Sequence, residues 1–455
     1  MTMKLIYGIS DKPKFGQLLI FALQQLLAIL AATIAVPAVI GNGMSQSAAL
    51  FGAGVGTIVY LLFTKFKSPV FLGSSFAFLG SMAAAFAGGV SASAGYLGLI
   101  IGALFAGLAY VLIAIIVKLV GVKWIDRLMP AVVIGPTVAI IGLSLSGNAI
   151  GDAVGAAKNA DGAFIMDAHA GACLICALVT LLVVVISSVY GKKMAKLIPF
   201  IIGICAGYVV ATIFTLIGNA TNNEALMIVD FSKFENMQWV PDFTFLTAFS
   251  GEYDFAGGDL GSYIGTIAVA YIPVAFVVFA EHIADHKNLS SIIGHDLLKN
   301  PGLSRTLLGD GVGSMAGAFF GGCPNTTYGE SVGCVAITGN ASVITIFTTA
   351  VMAIVASFFA PFVTLLATIP SCVMGGVCIT LYGFIAVSGL KMVQQVDLGD
   401  NRNLFPVSVI LIAGVGGMAL NFGAITLTGI ACALILGIIT NLVLGVKDSK
   451  KKETK

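Results

Sequence analysis

The sequence predicts an all-α polytopic membrane protein. It should cross the bilayer in about fourteen segments, arranged as two inverted seven-segment repeats, with two short antiparallel strands in segments 3 and 10. Three observations point there. The composition is 58% hydrophobic and 10% charged, with a mean hydropathy of +1.02. Apolar stretches long enough to span roughly 30 Å of hydrocarbon recur from Phe15 to Leu444. Short motifs in the first half recur, in the same order, in the second.

The loops set the topology. Of the 23 basic residues, all but Lys158 and Lys233 fall in a few segments. These hold Lys4, Lys12 and Lys14; Lys65 and Lys67; Lys118, Lys123 and Arg127; and Lys192, Lys193 and Lys196. They continue with Lys287, Lys299 and Arg305, then Lys391 and Arg402, and end in the tail. The positive-inside rule places these loops, and both termini, in the cytoplasm of a cell-membrane protein. Both ends inside require an even number of crossings. The acidic loop 221–260 then faces outward. The first apolar run, about residues 15–40, is too long for a signal-peptide core.

Elements of the first half find counterparts in the second. Pro130-Ala-Val-Val-Ile-Gly135 matches Pro370-Ser-Cys-Val-Met-Gly375, and each opens an apolar span. Gly54-Val-Gly56 precedes Pro69 as Gly311-Val-Gly313 precedes Pro324. A polar, glycine-containing patch follows each of those prolines. An odd number of spans per half inverts the second copy. Paired broken segments at matching places mark the midplane site of a transporter, because irregular backbone is tolerated at that depth only beside protein or a water-filled cavity. Residues 70–76 read as extended, followed by a helix over 77–87. Residues 326–328 read as extended, followed by a helix from Glu330 to Thr338. The two strands should meet between the halves, with each half-helix N-terminus facing the cavity.

The small residues and cysteines carry less information. Gly52-x-x-x-Gly56 and Gly203-x-x-x-Gly207 allow close helix approach, although glycine is common in membrane helices generally. Cys173-x-x-Cys176 has no second pair in sequence, which disfavours metal or redox use. The net charge of +2 gives no sign of a nucleic-acid partner. No cofactor or metal is expected.

Glu281, Asp285 and Glu330 are the chemistry-bearing residues. A carboxylate near mid-bilayer costs roughly 2.5–3.5 kcal/mol on insertion scales, so such groups usually face a cavity and act there. Glu281 and Asp285 are four apart and share a helix face. His282 and His286 lie on a neighbouring face, and the spacing is not that of a zinc-binding helix. Asp285 and His286 read equally well as the cytoplasmic end of the span. Glu330 opens a half-helix, where a carboxylate also complements the helix dipole. Two carboxylates converging on one ligand suit a solute with N–H donors, a cation or a proton. Free backbone amides would serve ligand carbonyls. Phe76 could stack on a planar ring, and Tyr328 could shape the same pocket. A small, flat, neutral solute with alternating N–H and C=O groups matches this inventory.

LGSSFAF (72–78), FAEHI (279–283), DLLKNPGL (296–303) and FFGGCPNTTYGESVGCVAITG (319–339) resemble bacterial uracil permeases of the nucleobase/ascorbate transporter family. The resemblance runs from about Gln24 to the last span. The family signature reads Glu330-Ser331-Val332-Gly333 through Thr338. The resemblance implies a core domain of segments 1–4 and 8–11 (12–122 and 261–362) and a gate domain of the others (123–220 and 363–446). The loop 221–260 and a basic tail, 447–455, complete the chain. It also implies a pocket of Phe76, Glu281, Tyr328, Gly329 and Glu330, and suggests a homodimer through the gate. Three positions depart from the pattern. Ser331 replaces the signature Asn, Gln24-Gln25 replaces a Gln-His pair, and Asp285 stands where uracil permeases often carry His. The coupling residue is left between Glu281 and Asp285.

The expected activity is secondary import of uracil, or a close pyrimidine, with protons across the lipid bilayer. No P-loop is present to use ATP, and no nucleophile–base pair suggests an enzyme. A proton-coupled purine transporter is the first alternative. An anion channel or exchanger of the same architecture is the second.

Overall fold

The computed structural model describes residues 5–121, 123–192, 194–421 and 426–452. Lys4, Lys193 and residues 453–455 lie outside these, as do the side chains of Lys123 and of the tail from residue 446. The first half opens with α1 (Phe15–Ile40) and α2 (Gln46–Phe63). Gly41 and Asn42, both in the left-handed region, stop α1. Ser45 then caps α2, its hydroxyl accepting the Ala48 N–H at 3.2 Å. An irregular crossing follows: β1 (Leu72–Ser74), a 3₁₀ turn at Phe76–Phe78 and α3 (Leu79–Ala85). The expected continuous helix over 77–87 is thus divided. Gly88 and Gly89, at φ +79° and +83°, end it. Next come α4 (Ala92–Val120), α5 (Lys123–Leu128), α6 (Ala131–Ser144), α7 (Ser146–Val154), α8 (Ala168–Tyr190), α9 (Met194–Leu197) and α10 (Pro199–Thr221).

The loop after α10 contains α11 (Thr244–Phe249), which packs on α4. The second half begins with α12 (Leu260–Ile293), capped by Asp259, and α13 (Leu303–Gly321). Its irregular crossing is β2 (Asn325–Thr327) followed by α14 (Gly329–Thr338). Then come α15 (Val343–Ser357), α16 (Ala360–Ala367), α17 (Ser371–Val393), α18 (Asn401–Val415), the short ribbon β3 (Leu420–Asn421) and β4 (Thr426–Leu427), and α19 (Gly429–Lys452). Pro130 and Pro370 both sit in extended backbone at the starts of α6 and α17, as their matching motifs suggest.

By length and apolarity, eight described helical spans can cross a membrane, with α6 and α7 counting as one, or nine if α15 and α16, bent by 81°, also count as one span. The chain is therefore an integral, multi-pass membrane protein. Fourteen crossings remain an expectation, because the other segments are short or broken. The two halves meet along α2 and α13, where glycine decides the distance. A Cβ at Gly56 would lie 2.7 Å from the Gly313 carbonyl oxygen, and one at Gly313 would lie 2.7 Å from that of Gly56. Both glycines belong to the repeated Gly-Val-Gly motifs, and their reciprocal contact is what two-fold-related helices produce. Gly203 and Gly207 likewise bring α10 onto Thr180 of α8.

Candidate functional site

Between α2 and α13, β1 and β2 pair antiparallel in the register Leu72–Thr327, Gly73–Thr326, Ser74–Asn325. The ladder extends at both ends: Ser75 N–H donates to the Pro324 carbonyl at 2.9 Å, and Tyr328 N–H to that of Phe71 at 3.2 Å. So short a sheet has exposed edges, which must be satisfied at membrane depth. Thr57 of α2 does this for Leu72. Its hydroxyl accepts the Leu72 N–H at 2.9 Å and donates to the Leu72 carbonyl at 3.1 Å. Asn325 Nδ2 donates to the Gly52 carbonyl at 3.0 Å. Tyr328 crosses back over β1, its hydroxyl donating to the Ser74 carbonyl at 2.7 Å. Only glycine fits beneath that ring, since a Cβ at residue 73 would meet it at 2.3 Å.

A cavity of about 370 Å³ opens where the strands end and the half-helices begin. Phe76, Glu281, Asp285, Tyr328, Gly329 and Glu330 all line it. Gly329 and Glu330 form the first turn of α14, so free backbone N–H groups border the cavity with the carboxylate. Glu281 and Asp285 face it from α12, one turn apart. Among the described residues, no lysine or arginine lines it. The wall from α6, α10 and α17 is apolar apart from Ser388 and includes Phe200, Leu381 and Phe384. The Phe76 ring packs edge-on against Tyr382 of α17, with centroids 5.7 Å apart.

Asp285 does not mark the end of its helix. Helix α12 runs on to Ile293, and Thr327 Oγ1 of β2 donates to Asp285 Oδ2 at 2.8 Å. Asp285 therefore ties α12 to the strand crossing. His286 is fully buried as well. Its Nδ1 donates to the His282 carbonyl at 2.8 Å, and its Nε2 meets the Tyr60 hydroxyl at 2.7 Å. Two departures from the family pattern prove to be neighbours. Gln25 Nε2 donates to Ser331 Oγ, and the Phe71 N–H donates to the same oxygen at 3.1 Å. Ser331 thus joins α1, the entry to β1 and the first turn of α14.

Sequence reasoning missed Asp310. It is 1% exposed on α13, with Oδ2 2.6 Å from His282 Nδ1. His282 Nε2 lies 2.9 Å from Thr306 Oγ1, whose hydroxyl donates to the Leu303 carbonyl. Thr306 therefore accepts from Nε2–H, and one proton lies between His282 and Asp310. The rule that singles out Glu281 applies equally to Asp310; its closeness to basic Arg305 hid the signal. Among the described residues, no group of three His, Cys, Asp or Glu side chains is arranged to hold a metal ion.

Known proteins resemble this chain in fold and in sequence. The transmembrane domain of the cyanobacterial bicarbonate transporter BicA superposes with a TM-score of 0.62 at 16% identity, covering 96% of this chain and 100% of that one. The murine Solute Carrier 26 family member A9 anion transporter, in the inward-facing state, gives 0.64 at 11% identity, over 96% and 69% of the two chains. At such identities the likeness is one of fold. Sequence relatives reach further. The uracil permease of Bacillus caldolyticus is 39% identical, covering 97% of this chain and 95% of that protein. That of Bacillus subtilis (strain 168) is 37% identical, over 99% and 98%. That of Escherichia coli (strain K12) is 34% identical, over 97% and 94%. The model of the Permease family (Xan_ur_permease) matches residues 16–423, a span that takes in β1, β2, both half-helices and every cavity residue named above. The chain belongs to that permease family.

Proposed function

We propose that this protein imports uracil, or a close pyrimidine nucleobase, together with protons. The observation that carries the reading is the convergence of Glu281 of α12 and Glu330 of α14, both from the second half of the chain, with Phe76 of the first half on a single cavity bordered by the first turn of a half-helix. The carboxylates supply acceptors for the ring N–H groups of a nucleobase. Free backbone N–H groups supply donors for its carbonyls. Phe76 presents a flat apolar surface to the ring. Full-length similarity to proteins named uracil permease selects uracil among nucleobases.

Proton coupling follows from charge balance in this reading. Glu281, Asp285 and Glu330 share a cavity that has no lysine or arginine in its lining among the described residues. A proton taken up at Glu281 or Asp285 cancels a charge before the core moves against the gate, and its release re-forms the empty site. The core is residues 12–122 and 261–362, and the gate is 123–220 and 363–446. Both termini lie in the cytoplasm, the loop 221–260 lies outside the cell membrane, and two chains associate through the gate.

The test is uptake of a labelled nucleobase panel by cells carrying the chain, with and without a protonophore. Uracil uptake should dominate and collapse with the protonophore. Preference for a purine would overturn the substrate assignment. The Glu281→Gln variant should remain folded yet lose pH-dependent uptake; unchanged proton-coupled uptake in that variant would remove Glu281 from the mechanism.

A further inference from the structure

Helix α14 presents Glu330 to the cavity from its first turn, and its far end is held by the segment that precedes α1. The helix stops at Gly339, in the left-handed region at φ +65°. The Gly339 carbonyl accepts two N–H groups of that segment, Ile6 at 2.7 Å and Tyr7 at 3.2 Å. The pairing continues along the turn into α15. The Ala341 N–H donates to the Tyr7 carbonyl at 2.9 Å, and the Val343 N–H to that of Ile9 at 3.1 Å. Tyr7 and Asn340 form a parallel bridge between them. Ser342 Oγ completes the set, donating to the Asp11 carbonyl at 2.6 Å. The segment is tied in turn to α1. The Tyr7 hydroxyl donates to Gln17 Oε1 at 2.7 Å, and its ring meets that of Phe21 edge-on with centroids 6.0 Å apart. Gln25 of the same α1 donates to Ser331 Oγ in the first turn of α14. Helix α1 and its lead therefore grip α14 at both ends.

We propose that residues 6–11 are a positioning strap for substrate recognition: they set where the first turn of α14 places Glu330 and its free N–H groups, and so set the affinity for the nucleobase. The proposal rests on the uracil reading above. The argument is mechanical. Residues 6–11 do not line the cavity, so they act on it through α14. That helix has ten residues, and at 1.5 Å per residue it is a rod of about 15 Å. A shift at Gly339 is delivered to Gly329 and Glu330 at the other end. The last carbonyls of a helix need partners, but at a membrane surface water can supply them. What the strap's hydrogen bonds add is therefore a fixed position. Ser331 alone is a pivot; with the strap, α14 has two fixed points on α1. As the core moves against the gate, α14 then travels with α1 as one body and does not slide along it.

The test is uracil calorimetry on the purified full chain in lipid nanodiscs. Ile6→Pro combined with Ser342→Ala removes one N–H and one hydroxyl from the strap. Loss of two hydrogen bonds should weaken uracil binding by about fivefold or more. Ile6→Ala keeps the N–H and trims a side chain that is 64% exposed, so it should bind like the unmodified chain. A double-mutant cycle separates positioning from general loosening. In a Glu330→Ala background the strap variant should cost little further affinity, because the group it positions is gone. Additive losses in that cycle, or unaltered affinity in the strap variant, would overturn the proposal. Should the proline variant not fold, Ser342→Ala alone should show the same cycle at smaller amplitude, and additivity there counts equally against it. Absence of uracil binding to the unmodified chain would overturn the substrate reading; binding that the strap variants leave unchanged would overturn the strap alone.

Discussion

Glu330 holds two positions at once, second residue of α14 and wall of the cavity. A hydrogen bond to a charged group contributes about 1.5–3 kcal/mol. Glu330→Ala should therefore weaken uracil binding roughly ten- to hundredfold, since 1.4 kcal/mol is a factor of about ten. Calorimetry on purified protein measures this, and unaltered affinity would take Glu330 out of the site. Gly73 makes a sharper structural prediction. A methyl group there would press on the Tyr328 ring, whose hydroxyl closes onto Ser74. Overpacking of this kind costs about 1–3 kcal/mol, so Gly73→Ala should lower both thermal stability and nucleobase affinity. Gly80→Ala, with nothing within 4 Å of the new methyl, serves as the neutral control. Asp310→Ala would strip His282 of its buried partner. Removing one member of such a pair costs roughly 3–5 kcal/mol, and a large fall in the unfolding temperature in detergent should report it. The carboxylates of the cavity were legible as residues because acid is out of place in apolar sequence. Their hydrogen-bond partners were not, because Thr327 and Ser331 are ordinary residue types in sequence.

At the scale of elements, helix ends decide where the site can form. Asp259 caps α12, its Oδ1 accepting the Ser262 N–H at 2.6 Å. That backbone hydrogen bond first, and the Ser262 hydroxyl second, hold the exposed Asp259 carboxyl below the usual carboxylate range. A carboxyl lowered on folding contributes stability above its unfolded pKa of about 3.9 and loses it as pH falls through the folded value. Asp259→Asn should keep the cap in both states and remove this dependence. The wild-type and Asn variants should therefore differ in unfolding temperature near neutral pH and converge in strong acid; a gap independent of pH would show that the charge is not involved. The strands and half-helices were legible as elements, since proline, glycine and hydroxyl residues interrupt apolar runs at Pro69 and Pro324. The division of the first half-helix was not read, although Gly88-Gly89 carried the signal for its end. Register was beyond reach. Strands this short have no alternation to set it, and it is held by side-chain hydrogen bonds of Thr57, Asn325 and Tyr328 that supplement the ladder.

At the scale of the whole molecule, the two halves are joined by backbone contact. Gly56→Val would force α2 away from Gly313 and, through Thr57 and Leu72, disturb the strand crossing. We expect a marked loss of monodisperse protein on size-exclusion chromatography; a normal profile with normal uracil binding would show that the seam tolerates separation. The same change at exposed Gly16, with open space around it, should be silent. The Gly-Val-Gly repeats were visible in the sequence as matching order, and their physical meaning is this seam.

The sequence by itself determined the membrane class, the inverted organisation and the identity of the acidic residues, because hydropathy, loop charge and buried acid are properties of residues in order. Only the tertiary structure decided which of those residues share a cavity, because that depends on where two broken segments, some 250 residues apart, cross. It moved Asp285 from a possible end of a span into the cavity wall, brought Gln25 against Ser331, and revealed Asp310 behind His282. Each of these is a contact between distant segments, satisfied at a depth where water is not available to replace it.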